Sequence, residues 1–271
     1  RDLRMSRGLG DVYKRQDELE LQVGPLKQQA EVAKRYLSLR DELRVEEVSA
    51  WMDALDRLRE QSQAIANDYE TAKSGLDAAR RELGIPEGKP LVVSVWGSLG
   101  ASHMNEIMTD FILRACAKPF FSLIHSAGKA GYSKMSAALE SEKPDYAKLG
   151  MDVRAYIYDM PRVMAAADLV LCRAGASTLA ELTAMGKPAI LVPSPNVTNN
   201  HQERNARVLE AAGGAKVMLE QEFTADSLLG LVSELLQHPE QLEEMSQNML
   251  KLAVPDATDR IAAEVLELAS K

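Results

Sequence analysis

The chain has 271 residues, 46% apolar, 27% charged and only 5% aromatic, with a formal net charge of −8. The length allows one large domain or two modest ones, and the apolar fraction excludes wholesale disorder. No uncharged apolar run approaches the roughly 18–20 residues that span a bilayer; two cysteines, Cys116 and Cys172, exclude a disulfide framework or zinc cluster and fit a reducing cytosol.

Residues 1–16 carry five Lys/Arg against two Asp/Glu and show neither helical nor strand periodicity. The chain starts on Arg with no apolar h-region behind it, so no signal peptide is read there. The tract Gly8 to Gln16, GLGDVYKRQ, resembles translated sequencing-adapter read-through. Residues 1–16 are therefore set apart as a non-native leader.

Residues 17–83 are acidic, with ten Lys/Arg against fifteen Asp/Glu, and contain a single proline, Pro25. From Val48 a 3-4 alternation runs through Trp51, Leu55, Leu58, Ser62, Ile65, Tyr69, Ala72, Leu76, Ala79 and Leu83. Ten of these eleven positions are apolar, which is the a/d seam of a coiled coil. An earlier seam, Leu26, Ala30, Ala33 and Leu37, is out of phase with it. The pattern blurs between Ser38 and Glu47, where either a stutter or a helix break would account for the shift. The string PLKQQAEVAKRYLSLRDEL, starting at Pro25, resembles the proximal coiled coil of the SMC chromosome-segregation ATPases. That resemblance implies no chemistry, because the nucleotide-binding heads of that family have no counterpart here. The seam over 48–83 suggests a helical partner.

At Gly84-Ile85-Pro86-Glu87-Gly88-Lys89-Pro90 a C-cap glycine and two prolines end the helical pattern. Short apolar strands then alternate with amphipathic helices. Strands are expected near 91–96, 120–125, 153–157, 168–172, 188–192 and 215–218. Helices are expected near 102–117, 130–140, 160–166, 178–185, 199–213, 224–237, 239–252 and 257–269. This alternation predicts an α/β domain over 84–271, a doubly wound parallel sheet covered on both faces. Its charge, seventeen Lys/Arg against twenty-three Asp/Glu, argues against nucleic acid as a ligand. A local anion site built from backbone amides remains open.

Ligands of such sheets bind at the carboxyl ends of the strands, which directs attention to three loops. Trp96-Gly97-Ser98-Leu99-Gly100-Ala101 follows the first strand; it suits a diphosphate and equally a tight packing turn. The full GxGxxG fingerprint is missing and no acidic residue closes the second strand, which argues against a dinucleotide. Cys172 to Glu181 (CRAGASTLAE) follows another strand. Thr178 and Glu181 fit a capping box; alternatively Glu181, placed in the first turn, accepts both hydroxyls of a ribose while the amides of Ala176 to Leu179 face phosphate. In the third loop, Pro193 to Gln202, His201 and Gln202 either point at a ligand or cap the next helix, the cap being favoured for His201.

Gly97-Ser98-x-Gly100-Ala101, Tyr156 to Met160, Ala166 to Glu181 and Asn200-His201-Gln202-x-x-Asn205-Ala206 occur in the order and spacing of the MurG family of family-28 glycosyltransferases. The resemblance runs from about Ala79 to the end. It implies the donor half of a GT-B enzyme, one that binds UDP-N-acetylglucosamine for transfer to lipid I. It further implies that Ser98 contacts the donor phosphates and that Ile157 takes the uracil by backbone contacts. Ala176, Ser177, Thr178, Leu179 and Ala180 would cradle the diphosphate, Glu181 hold the ribose and Gln202 the sugar hydroxyls. No cofactor or metal is implied, and the family works at the inner face of the cell membrane. Trp96 departs from the commoner glycine and is expected to crowd the loop. The family's N-terminal domain, with its glycine-rich GGTxGH loop, has no counterpart here, and the GNPVR lead-in is missing. The chain thus reads as a join of two unrelated fragments, with the seam between Gly75 and Leu83. A nucleotide-sugar-binding module without turnover, and a coiled-coil interaction protein with a passive α/β part, are the competing expectations.

Overall fold

The computed structural model describes residues 2–97 and 101–269, with side chains from residue 14 onwards. Two compact units emerge, Arg1–Ala72 and Lys73–Lys271.

A single helix, α1 (Asp2–Glu82), supplies the first unit and runs 10 residues into the second. The expected irregularity of residues 1–16 is corrected: the backbone is helical from Asp2. The stretch contains no proline, and extending an existing helix costs far less than nucleating one. Between Ser38 and Glu47 the helix is unbroken, so the phase change in the seam is a stutter. The 11 residues from Leu37 to Val48 make three turns, as a stutter requires.

The second unit is a six-stranded parallel sheet in the order β3-β2-β1-β4-β5-β6. Its strands are β1 (Leu91–Val95), β2 (Ser122–Ser126), β3 (Met151–Arg154), β4 (Leu169–Cys172), β5 (Ala189–Leu191) and β6 (Ala215–Val217). Between them run α2 (Ser102–Ala115), α3 (Lys129–Glu142), α4 (Met160–Ala166), α5 (Ala176–Ala184) and α6 (His201–Ala211). Beyond β6 come α7 (Ala225–Gln237), α8 (Pro239–Lys251) and α9 (Ala257–Ala269). Two 3-10 turns, Tyr146–Leu149 and Thr198–Asn200, had no sequence signal.

Strand alternation sends successive side chains to opposite faces, and here both faces are buried. Val92, Leu169, Leu171 and Ile190 pack with α2, α3 and α7 residues such as Phe111, Leu139 and Leu228. Leu91, Val93, Val170 and Leu191 pack with Val163 of α4, Leu182 of α5 and Leu209 of α6. Because the chain leaves β1 towards one side and β4 towards the other, a crevice opens above their carboxyl ends, where Val95 pairs with Cys172.

Beneath that crevice a polar relay is buried. His125 Nδ1 lies 3.0 Å from the Ser94 hydroxyl, and its Nε2 lies 3.3 Å from Asn105 Oδ1. The Asn105 amide in turn donates to the Ala127 carbonyl at 2.7 Å. Asn105 oxygen accepts only, so Nε2 carries the proton and Nδ1 accepts from Ser94. Gly131 makes room for this amide: a Cβ there would come 2.2 Å from Asn105 Nδ2. Burial without a charged partner pushes the His125 pKa down to about 3.

At the opposite end of the strands, the last turn of α1 is tied into the α/β unit. Arg80 Nη1 donates to Asp168 at 3.0 Å and to the Ala166 carbonyl at 2.9 Å, while Nη2 donates to the Lys89 carbonyl at 2.6 Å. Asp168 also accepts the amide of Leu91 at 2.6 Å, holding the start of β1.

Candidate functional site

The crevice is a cleft of about 530 Å³ above β1 and β4. Trp96 and Gly97 come to it from β1, Ser126 from β2, and Arg173, Gly175, Thr178 and Glu181 from β4 and α5. Tyr156 and Ile157 come from the loop after β3, and Ser194 and Gln202 from the β5–α6 connection. Of the residues singled out in the sequence, Ile157, Thr178, Glu181 and Gln202 are therefore brought to one cavity. Ala176, Ser177, Leu179 and Ala180 occupy the first two turns of α5; Leu179 is turned into the core and the other three are exposed. Ser98 lies outside the described residues.

The start of α5 departs from the capping-box reading. Gly175, not Thr178, is the N-cap, and no side chain caps the helix. Thr178 is thus the third helical residue and Glu181 the sixth, in the second turn rather than the first. The reason is the strand: β4 ends at Cys172, and Gly175 still has an extended backbone when the helix begins beyond the carboxyl end of the sheet. The first intrahelical bond runs from Leu179 N–H to the Gly175 carbonyl at 3.0 Å. The amides of Ala176, Ser177 and Thr178 are left without an intrahelical acceptor, the arrangement that favours an anion. Glu181 is exposed and makes no hydrogen bond or ion pair among the described residues.

Gln202 is held by its carbonyl oxygen, which accepts the Ser194 amide at 2.9 Å. Its NH₂ group is the part left to serve a ligand. The path into α6 uses two left-handed residues, Asn199 (φ 55°) and Asn200 (φ 51°), a conformation asparagine tolerates well. His201 Nδ1 lies 3.0 Å from the Thr198 carbonyl, a local turn contact away from the cleft.

Trp96 is described, but residues 98–100 of the loop it is expected to crowd lie outside the described residues. The Trp96 indole is buried, edge-on to Phe223 with ring centroids 5.4 Å apart. The next residue, Gly97, has φ 94°, a turn that a side chain would strain. Arg173 lies over the same indole at 5.9 Å, and donates to the carbonyls of Val192 (3.1 Å) and Pro193 (3.2 Å). It also pairs with Glu220 at 2.8 Å. One guanidinium thus fastens the ends of β4 and β5 to the segment after β6, and its charge is compensated. Attraction for an anion in this cleft rests on backbone amides rather than on free cations.

Arg173 and the two tyrosines lie within motifs read from the sequence but were given no role there, and Ser126 lies outside those motifs. Tyr156 and Tyr158 stack edge to face, centroids 4.9 Å apart, and Tyr156 lines the cleft beside buried Ile157. Their i, i+2 spacing after a strand was the available signal.

Comparison with known proteins agrees with this geometry. Residues 91–261 match the glycosyltransferase family 28 C-terminal domain. A UDP-N-acetylglucosamine–N-acetylmuramyl-(pentapeptide) pyrophosphoryl-undecaprenol N-acetylglucosamine transferase from Acetivibrio thermocellus is 42% identical over 186 residues, covering 68% of this chain and 49% of that protein. The same-named transferase of Ruminiclostridium cellulolyticum is 42% identical over 199 residues, covering 73% and 54%. The crystal structure of Acinetobacter baumannii MurG superposes with a TM-score of 0.58 at 26% identity, covering 70% of this chain and 53% of that one. WaaG, a glycosyltransferase of lipopolysaccharide biosynthesis, shares the fold at a TM-score of 0.50 and 20% identity. The chain spans about half the length of the curated relatives it matches. The parallel sheet, the switch-point cleft and the match over 91–261 together place the chain in glycosyltransferase family 28, as a GT-B-type C-terminal domain preceded by a long helix.

Proposed function

We propose that residues 84–271 form the donor-binding half of a UDP-N-acetylglucosamine transferase of peptidoglycan synthesis. The observation that carries this reading is the convergence of Ile157, Thr178, Glu181 and Gln202 on one cleft beside an uncapped helix start. The diphosphate lies against the amides of Ala176, Ser177 and Thr178, with Ser98 adding a hydroxyl and Leu179 and Ala180 shaping the helix start. Ile157 meets the uracil through its backbone, Glu181 accepts the ribose hydroxyls, and the Gln202 amide donates to the sugar. The relatives named above carry the substrate in their names, which supports UDP-N-acetylglucosamine as the nucleotide sugar and lipid I as the acceptor.

Transfer would proceed with inversion. A base on the acceptor side deprotonates the 4-hydroxyl of the muramoyl sugar, and the α5 amides stabilise the charge developing on the departing UDP. These amides point at the leaving group before reaction, so they need no reorganisation when charge develops. The residues described here serve the leaving group. The base belongs to the half of the relatives that this chain does not span, so the chain alone binds donor without lipid II formation. Placement against the inner face of the membrane follows from the acceptor rather than from a span: among the described residues no helix is long and apolar enough to cross a bilayer.

Calorimetric titration with UDP and UDP-N-acetylglucosamine, alongside a lipid II assay with and without a supplied N-terminal half, tests the proposal. Donor binding with turnover only in the supplemented assay is expected. No UDP binding would leave the α/β unit passive, and lipid II formation by the chain alone would assign catalysis to residues 1–83.

A further inference from the structure

We propose that a second copy of this chain pairs with α1, parallel and in register, along the seam from Leu26 to Ala72. Between Val48 and Ala72 the seam positions carry exposed large side chains: Trp51 is 68% exposed, Leu58 61% and Ile65 69%. A helix of 81 residues whose apolar seams, Leu26–Leu37 and Val48–Ala72, lie open to water leaves its main source of stability unused, since isolated helices owe little to propensity. The seams call for a second helix, and three observations identify that helix as a copy of this one.

The first is the pattern of charge beside the seam. With Val48 at a and Trp51 at d, the g positions are Glu47, Ala54, Gln61 and Asp68, and the e positions are Met52, Arg59, Ala66 and Lys73. Every charge at g is negative and every charge at e is positive. A parallel pair sets g against e of the following heptad, which brings Asp68 to Lys73 of the other copy on both sides and creates no like-charge contact. An antiparallel pair sets g against g and e against e, so the carboxylates share one flank and the cations the other. Self-association is therefore favoured in one orientation only.

The second observation is the stutter. The seam shifts phase over the three turns between Leu37 and Val48, while the helix continues without a break. A partner must shift phase at the same level to stay in contact with both Leu26–Leu37 and Val48–Ala72. In a parallel, in-register pair each irregularity meets itself, and the condition is met automatically. Reversing one helix keeps the stutters level only about a dyad between Leu37 and Val48, which sets the seam from Ser62 to Ala72 against residues upstream of Leu26, outside the seam.

The third is that the seam keeps one polar residue, Ser62, at an a position. In register it faces its own copy, hydroxyl to hydroxyl; shifted by a heptad it faces Leu55 or Tyr69, leaving a hydroxyl against an apolar side chain.

The test uses the full-length chain. Sedimentation equilibrium should give twice the chain mass, and Ile65→Asp should return it to the monomer. Lys73→Asp should weaken the dimer, and the double variant Asp68→Lys/Lys73→Asp should restore it, because the attractive pair is rebuilt with its signs exchanged. Ala33→Cys, off-centre in the seam, should form an intermolecular disulfide on mild oxidation. The two native thiols are both buried and do not compete. An antiparallel pair over the same seam sets Ala33 opposite Ile65 and holds the two Ala33 positions tens of ångströms apart, at about 1.5 Å per residue. A monomer at all concentrations overturns the proposal, and is the result expected if the seam serves a different protein. A dimer that survives Ile65→Asp overturns the seam as its contact. A dimer without the Ala33→Cys cross-link, or without rescue by the charge exchange, overturns the parallel register.

Discussion

Glu181 illustrates how a single residue separates a structural from a functional role. A capping-box carboxylate would bond back to its own helix start, but Glu181 is the sixth residue of α5 and has no partner among the described residues. Glu181→Gln is therefore expected to leave the melting temperature unchanged. If the carboxylate accepts the ribose hydroxyls, the neutral amide forfeits charge-assisted bonds of roughly 1.5–3 kcal/mol, about ten-fold or more in UDP affinity. Titration with 2′,3′-dideoxy-UDP supplies the control, since that ligand should not distinguish the two proteins. Gln202 is a complementary case. Gln202→Glu keeps the oxygen that accepts the Ser194 amide but removes the NH₂ donors. The β5–α6 connection should hold its shape, whereas the gain in affinity of UDP-N-acetylglucosamine over UDP should shrink. His125 makes a prediction about pH. Its folded pKa, about 3, lies below the usual histidine value of 6.5, so the unfolded chain binds the proton more readily. Its contribution to stability is complete above pH 6.5 and is lost as pH falls towards 3, with a slope of at most about 1.4 kcal/mol per pH unit. Chemical denaturation across that range should show the slope in the wild type and less of it in His125→Gln.

At the scale of elements, the last turn of α1 and the first turn of α5 matter most, at opposite ends of the strands. Arg80 is mostly buried and donates to a carboxylate and two carbonyls. Arg80→Ala would leave the Ala166 and Lys89 carbonyls and part of Asp168 unpaired, at a cost of about 2–3 kcal/mol in the unfolding free energy. Urea denaturation measures it, and a change below about 0.5 kcal/mol would mean that water replaces the guanidinium without loss. The first turn of α5 has the opposite character, since its amides lack partners and the protein tolerates this beside an open cleft. Arg173 lends rigidity there by clasping the ends of β4 and β5 and pairing with Glu220.

Across the whole molecule, the α/β unit begins at Lys73 rather than at the glycine and prolines that end the helical pattern. A fragment of residues 73–271 is expected to unfold in one cooperative transition and to bind UDP as the full chain does. A fragment beginning at residue 84 lacks Arg80 and should melt at a lower temperature while keeping its sheet. A broad, non-cooperative melt of the longer fragment would show that the rest of α1 stabilises the unit.

The sequence by itself determined the identity and order of nearly every element. Apolar runs of strand length, helical spacing and the Gly/Pro punctuation at Gly84–Pro90 are local signals, and β1, β4, α4 and α9 lie where those signals placed them, to within a residue or so. The seam of α1 was legible for the same reason, although its spacing could not say whether Ser38–Glu47 bends, breaks or continues. Tertiary structure decided the rest. Whether Thr178 or Gly175 opens α5 depends on where β4 stops pairing, which a four-residue motif does not contain. Asp168 meets Arg80 from 88 residues away, and Arg173 meets Glu220 only because β6 follows β5 at the edge of the sheet. The cleft itself exists because the strand order places β4 next to β1, with β2 and β3 on the other side. Periodicity records the surroundings of each residue along the chain; the order of strands is settled by burying both faces of the sheet at once, a condition on the whole unit that no local pattern expresses.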